Sequence, residues 1–249
     1  MSDGIYVALS GAVARADELD AVANNLANAN TTAYRPQRAS FSSVLATRTA
    51  AYQPQPGFLA QEARFPVDRY HAVEQNAPAR FTQGGILETG AELDLALEGD
   101  GLFVLDAGGR TVYTRDGHFL KDGEGFLTAA DGARVQGQKG PIQLPVGRVV
   151  VESDGLIRVE GRAVERLMLV NFDATAELKR EGANRYSSAS QPRPAFARVH
   201  QGALEGAAVS VMTEMLRLIE VHRSFDALQE AIRTYRDLDS QINTASRPG

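Results

Sequence analysis

Two apolar seams stand at opposite ends of this chain, and any fold it adopts has to bury both. Ile5, Leu9, Ala12, Ala16, Leu19, Ala23 and Leu26 recur at alternating steps of four and three, which keeps them on one stripe of an α-helix. Several of these positions are alanine, so a partner backbone can approach closely. A helix of roughly 24 residues spans about 36 Å. The second seam runs through Val211, Leu218, Val221, Phe225, Leu228, Ile232, Tyr235 and Ile242, on a helix expected over about 208 to 243. Its other face carries Glu220 with Arg223, Glu230 with Arg233, and Arg233 with Asp237. Such pairs contribute only a few tenths of a kcal/mol each, so the seam has to supply the stability. A lone amphipathic helix is marginal in water. The two seams can pair with each other, parallel or antiparallel, yet a pair still exposes seam, and other copies of the chain are expected to complete the burial. The competing arrangement lays both helices over the central domain of a monomer.

Between the seams the pattern changes. From Gly84 to Gln201 short apolar or β-branched runs are cut by turn pairs at Gly108-Gly109, Asp116-Gly117, Asp122-Gly123, Asp131-Gly132 and Asp154-Gly155. Asp-Gly between extended runs marks a hairpin, because tight turns that suit strand twist need positive φ. The expected fold is therefore mixed: discontinuous, coiled-coil-like terminal α-helices flank a mainly β central domain built of hairpins. Residues 1–41 and 205–249 form one helical assembly domain and 84–204 the β domain. Residues 42–83, with Pro54, Pro56, Pro66 and Pro78, read as an extended connector.

Composition removes several functions. The formal net charge is −5, against the basic stripe of a nucleic-acid binder. No run approaches the roughly 18 apolar residues of a membrane helix, so direct membrane insertion is not expected. The opening MSDGIYVALSGAVARADELD has no basic start and is broken by Arg15, Asp17, Glu18 and Asp20, unlike a cleavable secretory signal. Cysteine is absent, which excludes a disulfide framework, a thiol nucleophile and a thiolate metal site. His71, His118, His200 and His222 are scattered without metal-ligand spacing. GARVQGQKG lacks the Gly-Lys-Ser/Thr ending of a phosphate loop and sits among strands. Asp116, Asp122, Glu124 and Asp131 miss calcium-loop spacing and adjoin turn glycines. No serine stands in a GxSxG elbow. Catalytic residues, cofactors and metals are all read as none, and Phe103, Tyr113, Phe119 and Phe126 as core.

ANNLANAN, at residues 23–30, places Asn24, Asn25, Asn28 and Asn30 where the first helix ends, although asparagine is a poor helix former. A helix stop, a ligand site, or amides gluing chains together would each use them. Asn28 and Asn30 precede Pro36, which disfavours helix at Arg35, so a stop accounts for those two.

Three blocks together resemble the bacterial flagellar axial proteins, which build the rod and hook. They are Ala23-Asn24-Asn25-Leu26-Ala27-Asn28 followed by Asn30-Thr31 and Ala33-Tyr34-Arg35, with Phe41 beyond; residues 93–137, LDLALEGDGLFVL with VYTRDGHFLKDGEGFLTAADGARVQG; and Gln201-Gly202-Ala203-Leu204-Glu205, leading to Arg223 and Phe225. Ala33 stands where the family has glycine, which makes a left-handed turn there less expected. Ala207-Ala208 replaces Ser-Asn and weakens the expected helix cap. The opening IYVALSGA and the short length look most like the proximal-rod F-type, with the distal-rod G-type as the alternative.

The resemblance implies an inner tube of terminal helices with the β domain outward, in the basal-body rod that crosses the periplasm. It implies as partners copies of the chain, other rod proteins and the flagellar type III export apparatus. The assembly residues would be Ile5, Leu9, Leu19, Asn24, Asn25, Leu26, Asn28, Asn30, Tyr34, Leu218, Val221, Phe225, Leu228, Ile232, Tyr235 and Ile242, with the asparagines bonding backbone at a junction between subunits. Residues 1 to about 30 and 208 to 249 are expected to be wholly or partly mobile in the free subunit and to order on assembly. The alternative from another class is a soluble β-rich wall- or sugar-binding module whose helices are covers.

Overall fold

The computed structural model describes residues 2–37, 83–172 and 178–245. Phe41, His71 and the connector expected before Gln83 lie outside the described residues. Helix α1 (Ser2–Ala27) and helix α2 (Val211–Ala245) flank sixteen strands among the described residues.

The central strand of the β domain is β3 (Leu102–Asp106). It pairs antiparallel with β4 (Thr111–Thr114) along one edge. Its other edge is shared by β7 (Arg134–Val135) and β11 (Leu169–Asn171). Beyond β4 lie β13 (Arg185–Ser188) and then β12 (Leu178–Gly182); beyond β7 lie β6 (Leu127–Ala129) and β5 (Phe119–Lys121). Strand β14 (Arg193–Pro194) adds to β11. Alternation along β3 sends its side chains into two cores. Phe103 and Leu105 join Leu95, Phe119, Leu127, Val135 and Ile157, while Leu102 and Val104 meet Tyr113, Val170, Phe172, Leu178 and Tyr186. Phe103 meets Phe119 edge-on at 5.1 Å, and Tyr113 meets Phe172 edge-on at 4.9 Å. Phe126 is instead half-buried, with the Arg134 guanidinium 4.1 Å from its ring centre.

A second layer contains β8 (Val149–Val151), β9 (Leu156–Val159) and β10 (Arg162–Arg166). Two ribbons close the domain: β2 (Leu95–Glu98) with β15 (Arg198–Gln201), and β1 (Ile86–Glu88) with β16 (Ala203–Glu205). The last ribbon carries strand structure up to Glu205, within the stretch read as the entry to the long helix.

The pairs at Gly108-Gly109, Asp122-Gly123, Asp131-Gly132 and Asp154-Gly155 join strands that pair directly, as expected. Asp116-Gly117 does not: β4 and β5 are not neighbours in the sheet. Gly117 is required for a different reason, since a Cβ there would lie 1.7 Å from the Leu95 carbonyl oxygen.

The helices pair antiparallel. Gly11 of α1 faces Leu228 of α2, Glu18 faces Arg217, and Asn25 faces Glu214. The buried stripe of α1 runs through Ala8, Ala12, Glu18, Val22 and Asn25. Helix α2 begins at Val211, later than the expected 208, and Ser210 occupies the cap position, its carbonyl accepting from Glu214 N at 3.0 Å. Ala208 instead lies in a bend before the helix, its N–H donating to the Tyr34 carbonyl at 2.9 Å. Ala33 adopts φ +54° despite lacking the glycine freedom that the turn favours. Its N–H is held by the Glu205 carbonyl at 2.8 Å, and tertiary bonding overrides the local preference.

Candidate assembly surface and its joint

The asparagine run divides by direction around the helix. Asn28 Nδ2 folds back to the Asn24 carbonyl at 2.9 Å and to Asn24 Oδ1 at 2.8 Å, while Asn28 Oδ1 accepts from Thr31 Oγ1 at 3.2 Å. Ala29 N then bonds Leu26 O, a tightened last turn that ends the helix. Asn24 and Asn30 are exposed.

Asn25 points the other way and is only 1% exposed. Its Oδ1 accepts from Gln37 N at 2.7 Å and from Tyr34 Oη at 3.1 Å, and its Nδ2 donates to Gln37 O at 2.9 Å. The amide thus pairs with a backbone residue as a strand would, folding the chain after the turn back against α1. Nδ2 also lies 3.4 Å from Glu214 Oε2 on α2. These are bonds within one chain. Burial pushes the Tyr34 phenol above its ordinary value, against the pull of the nearby Arg180 guanidinium.

The same turn is fastened to the β domain. Thr32 Oγ1 donates to Asp116 Oδ1 at 2.9 Å, Asn184 Nδ2 to Thr32 O at 2.7 Å, and Arg180 Nη2 to Arg35 O at 2.7 Å. Beneath it lies a buried ion triad: Glu205 takes Arg35 on one carboxylate oxygen at 2.7 Å and Arg115 on the other at 2.5 Å. Burial lowers the Arg115 guanidinium from its ordinary value, and Glu205 opposes that shift.

Within the helical hairpin Glu18 is buried and accepts from Arg217 Nη2 at 2.8 Å and Arg15 Nη1 at 2.5 Å. Burial raises the Glu18 carboxyl, but the hydrogen bonds and charges of Arg217 and Arg15 outweigh it and hold the group below its ordinary value.

The expected assembly residues spread around this hairpin. Val221 is buried; Ile5, Leu19, Leu26, Leu218, Phe225, Leu228 and Ile232 are half-buried; Leu9 and Tyr235 are exposed. Ile242 lies in α2, with its side chain outside the described residues. Exposed apolar side chains remain on each helix, Leu9 and Val13 on α1 and, at one-face helical spacing, Met212, Met215, Leu216 and Ile219 on α2, with Leu216 63% exposed. An apolar groove lined by Leu19, Leu218, Ile219, His222 and Arg223 lies along the same pair of helices.

Glu18, Arg115, Glu205, Glu214 and Arg217 were not among the residues expected to form the site. Arg115 and Glu205 do stand inside the quoted motifs, each closing an apolar strand, and a charge in that setting was the available signal. Among the described residues no group of three or more His, Asp or Glu side chains is arranged to hold a metal. No helix among them is long and apolar enough to cross a membrane.

Comparison with known proteins agrees with this geometry. Residues 5–35 match the family described as flagella basal body rod protein, residues 96–159 the flagellar hook protein FlgE/F/G D1 domain, and residues 200–245 the flagellar basal body rod FlgEFG protein C-terminal family. The chain is 33% identical over 244 residues to the flagellar basal-body rod protein FlgF of Caulobacter vibrioides, covering 96% of this chain and 95% of that protein. It is 31% identical to FlgF of Rhizobium meliloti, covering 98% of each. Identity to the rod protein FlgG of Agrobacterium fabrum is 30%, over 96% of this chain and 97% of that one.

Proposed function

The chain belongs to the flagellar basal-body rod family, as a structural subunit of the F type, and from that premise we propose how it joins its neighbours. The observation that carries the reading is the exposed apolar stripe of α2. An exposed apolar stripe such as Met212, Met215, Leu216 and Ile219 on α2 marks a contact with another protein. Repeated head-to-tail with a rotation that does not close, such a contact generates a helical tube. The occupants are the hairpins of other copies and of other rod components, and the role is structural rather than enzymatic. On this reading the subunit reaches the basal body through the flagellar type III export apparatus and forms part of the rod crossing the periplasm.

Leu216→Asp tests the contact. The side chain is largely in water in the free subunit, so the substitution is expected to leave its melting temperature unchanged. Placed against an apolar neighbour the carboxylate costs several kcal/mol, and sedimentation and electron microscopy should show no polymer. Val221→Asp, at a position 3% exposed, should instead disrupt the hairpin within the subunit. Wild-type polymerisation by Leu216→Asp would refute the assignment of this face.

A further inference from the structure

Glu205 closes a strand, yet its carboxylate serves stretches of chain far from the sheet. One oxygen takes Arg35 Nη2 at 2.7 Å and Gly84 N at 3.0 Å; the other takes Arg115 Nε at 2.5 Å; the backbone carbonyl takes Ala33 N at 2.8 Å. Those donors come from the turn after α1, the approach to β1 and the end of β4. The residues that follow Glu205 lead directly into α2. One side chain therefore sits where both helices meet the β domain.

The two arginines are held differently. Arg115 donates three more hydrogens to the carbonyls of Gly101 at 2.5 Å, Leu97 at 2.8 Å and Gly99 at 2.6 Å, all in the β domain. It is anchored there whether or not Glu205 is charged. Arg35 arrives with the segment that carries α1. A buried ion group adds little net stability over apolar packing, but its hydrogen-bond geometry is satisfied in one arrangement and penalises others. We propose that Glu205 is a positioning residue for assembly: with Arg35 it forms a polar joint that fixes the orientation of the helical hairpin on the β domain. The consequence in a polymer rests on the rod reading, but the joint exists in the free subunit and is tested there.

The chain has no cysteine, so Asp20→Cys on α1 and Lys139→Cys in the β domain, both exposed, accept spin labels without background. Electron–electron distance measurement on the labelled full chain should give one narrow distribution. Arg35→Met should at least double its width and speed exchange of the Ala33 amide at least tenfold. The β domain should melt as before, because Arg115 and Glu205 remain as a neutral pair. Glu205→Gln should broaden the distribution in the same way, since two guanidinium groups then face each other without a counter-charge. Unchanged widths in both variants overturn the proposal. So does loss of the β-domain melting transition in Arg35→Met, which would make the triad part of the core rather than a joint. Wild-type chain that shows the narrow distribution but never polymerises counts against the rod reading and leaves the joint standing.

Discussion

Replacing Asn25 by alanine should destabilise the junction, whereas the same change at Asn24, one residue away, should not. Asn25 makes two short bonds to the backbone of Gln37, at 2.7 and 2.9 Å, and a third with Tyr34 Oη at 3.1 Å. Each intramolecular bond is worth about 1 kcal/mol net. The Tyr34 hydroxyl keeps a second acceptor in Asn24 Oδ1 at 3.3 Å, so the outright losses are the two Gln37 bonds, besides a long 3.4 Å contact with Glu214 Oε2 that adds little. Their loss costs about 2 kcal/mol, offset by about 0.6 kcal/mol because alanine is the better helix former. The net is about 1.4 kcal/mol, or roughly tenfold in local opening. For Asn24 the balance reverses. Asn28 Nδ2 retains the Asn24 backbone carbonyl at 2.9 Å, the side chain is exposed, and the helix-propensity gain remains. Native-state hydrogen exchange reads both variants at the Gln37 amide and in the last turns of α1. Asn25→Ala should exchange about tenfold faster there, and Asn24→Ala as wild type or slower. Equal effects of the two substitutions, or an unchanged Gln37 amide in Asn25→Ala, would refute the division of labour drawn from the geometry.

Other outcomes are equally specific. The Glu18 carboxyl is depressed in the folded hairpin by Arg217 and Arg15 against the opposing effect of burial. Its stabilisation is therefore full above the ordinary carboxylate value of about 4.3 and is lost as pH falls through the lower folded value. Helicity measured by circular dichroism should drop on acidification, and Glu18→Gln should flatten that part of the profile. Gly117→Ala forces a Cβ into the Leu95 carbonyl, and displacing that strand should cost more than about 3 kcal/mol in denaturant unfolding. Ala33→Val puts a β-branched residue at φ +54° in a site 1% exposed, and should destabilise the docked turn by about 2 kcal/mol or more, read from exchange at the Ala208 amide. In dilute wild-type subunit, exchange should quicken along α1 and α2 with distance from the junction. Strong uniform protection of both helices would show that the hairpin does not depend on neighbours for its order.

Periodicity was enough to find both helices and the β domain between them, because apolar spacing and Asp-Gly turns are local signals. It located the buried face of α1 only in part: Ala12 of the seam is buried and Ile5, Ala16, Leu19 and Leu26 are half-buried. The seam through Leu9 and Ala23 consists of apolar residues, yet both are exposed, while the buried stripe includes Glu18 and Asn25. A hydrophobic pattern cannot register a polar side chain that is buried because its partner, Arg217 or Gln37, is supplied from elsewhere in the chain. Gly117 escaped for a similar reason: its need is the approach of the Leu95 backbone, not the turn in which it was read. Ala33 shows the reverse case, a residue without glycine's freedom held left-handed by a bond to Glu205. The asparagine run reads, from sequence alone, as a helix stop together with amides joining subunits. The structure assigns the stop to Asn24 with Asn28, and a contact to Asn25, within the chain.

Glu18 with Arg217 and Asn25 with Glu214 lie in the half of the hairpin nearest the β domain, while toward the other end Gly11 packs against Leu228, where a Cβ would meet it at an ordinary 3.4 Å. Buried charge pairs contribute little to stability but discriminate strongly between registers. At the joined end the hairpin is therefore specified, and along its open face it is unsaturated. Helix α1 has 26 residues and α2 has 35, so α2 also presents surface that α1 cannot cover by length alone. If the pair had been closed by an apolar seam throughout, it would have been stable alone and would have had little left to offer a neighbour. On the proposed reading, a register set by Glu18 and Asn25, with Leu216 and Met212 left in water, keeps the two ends of one chain matched while leaving apolar surface for contacts between chains.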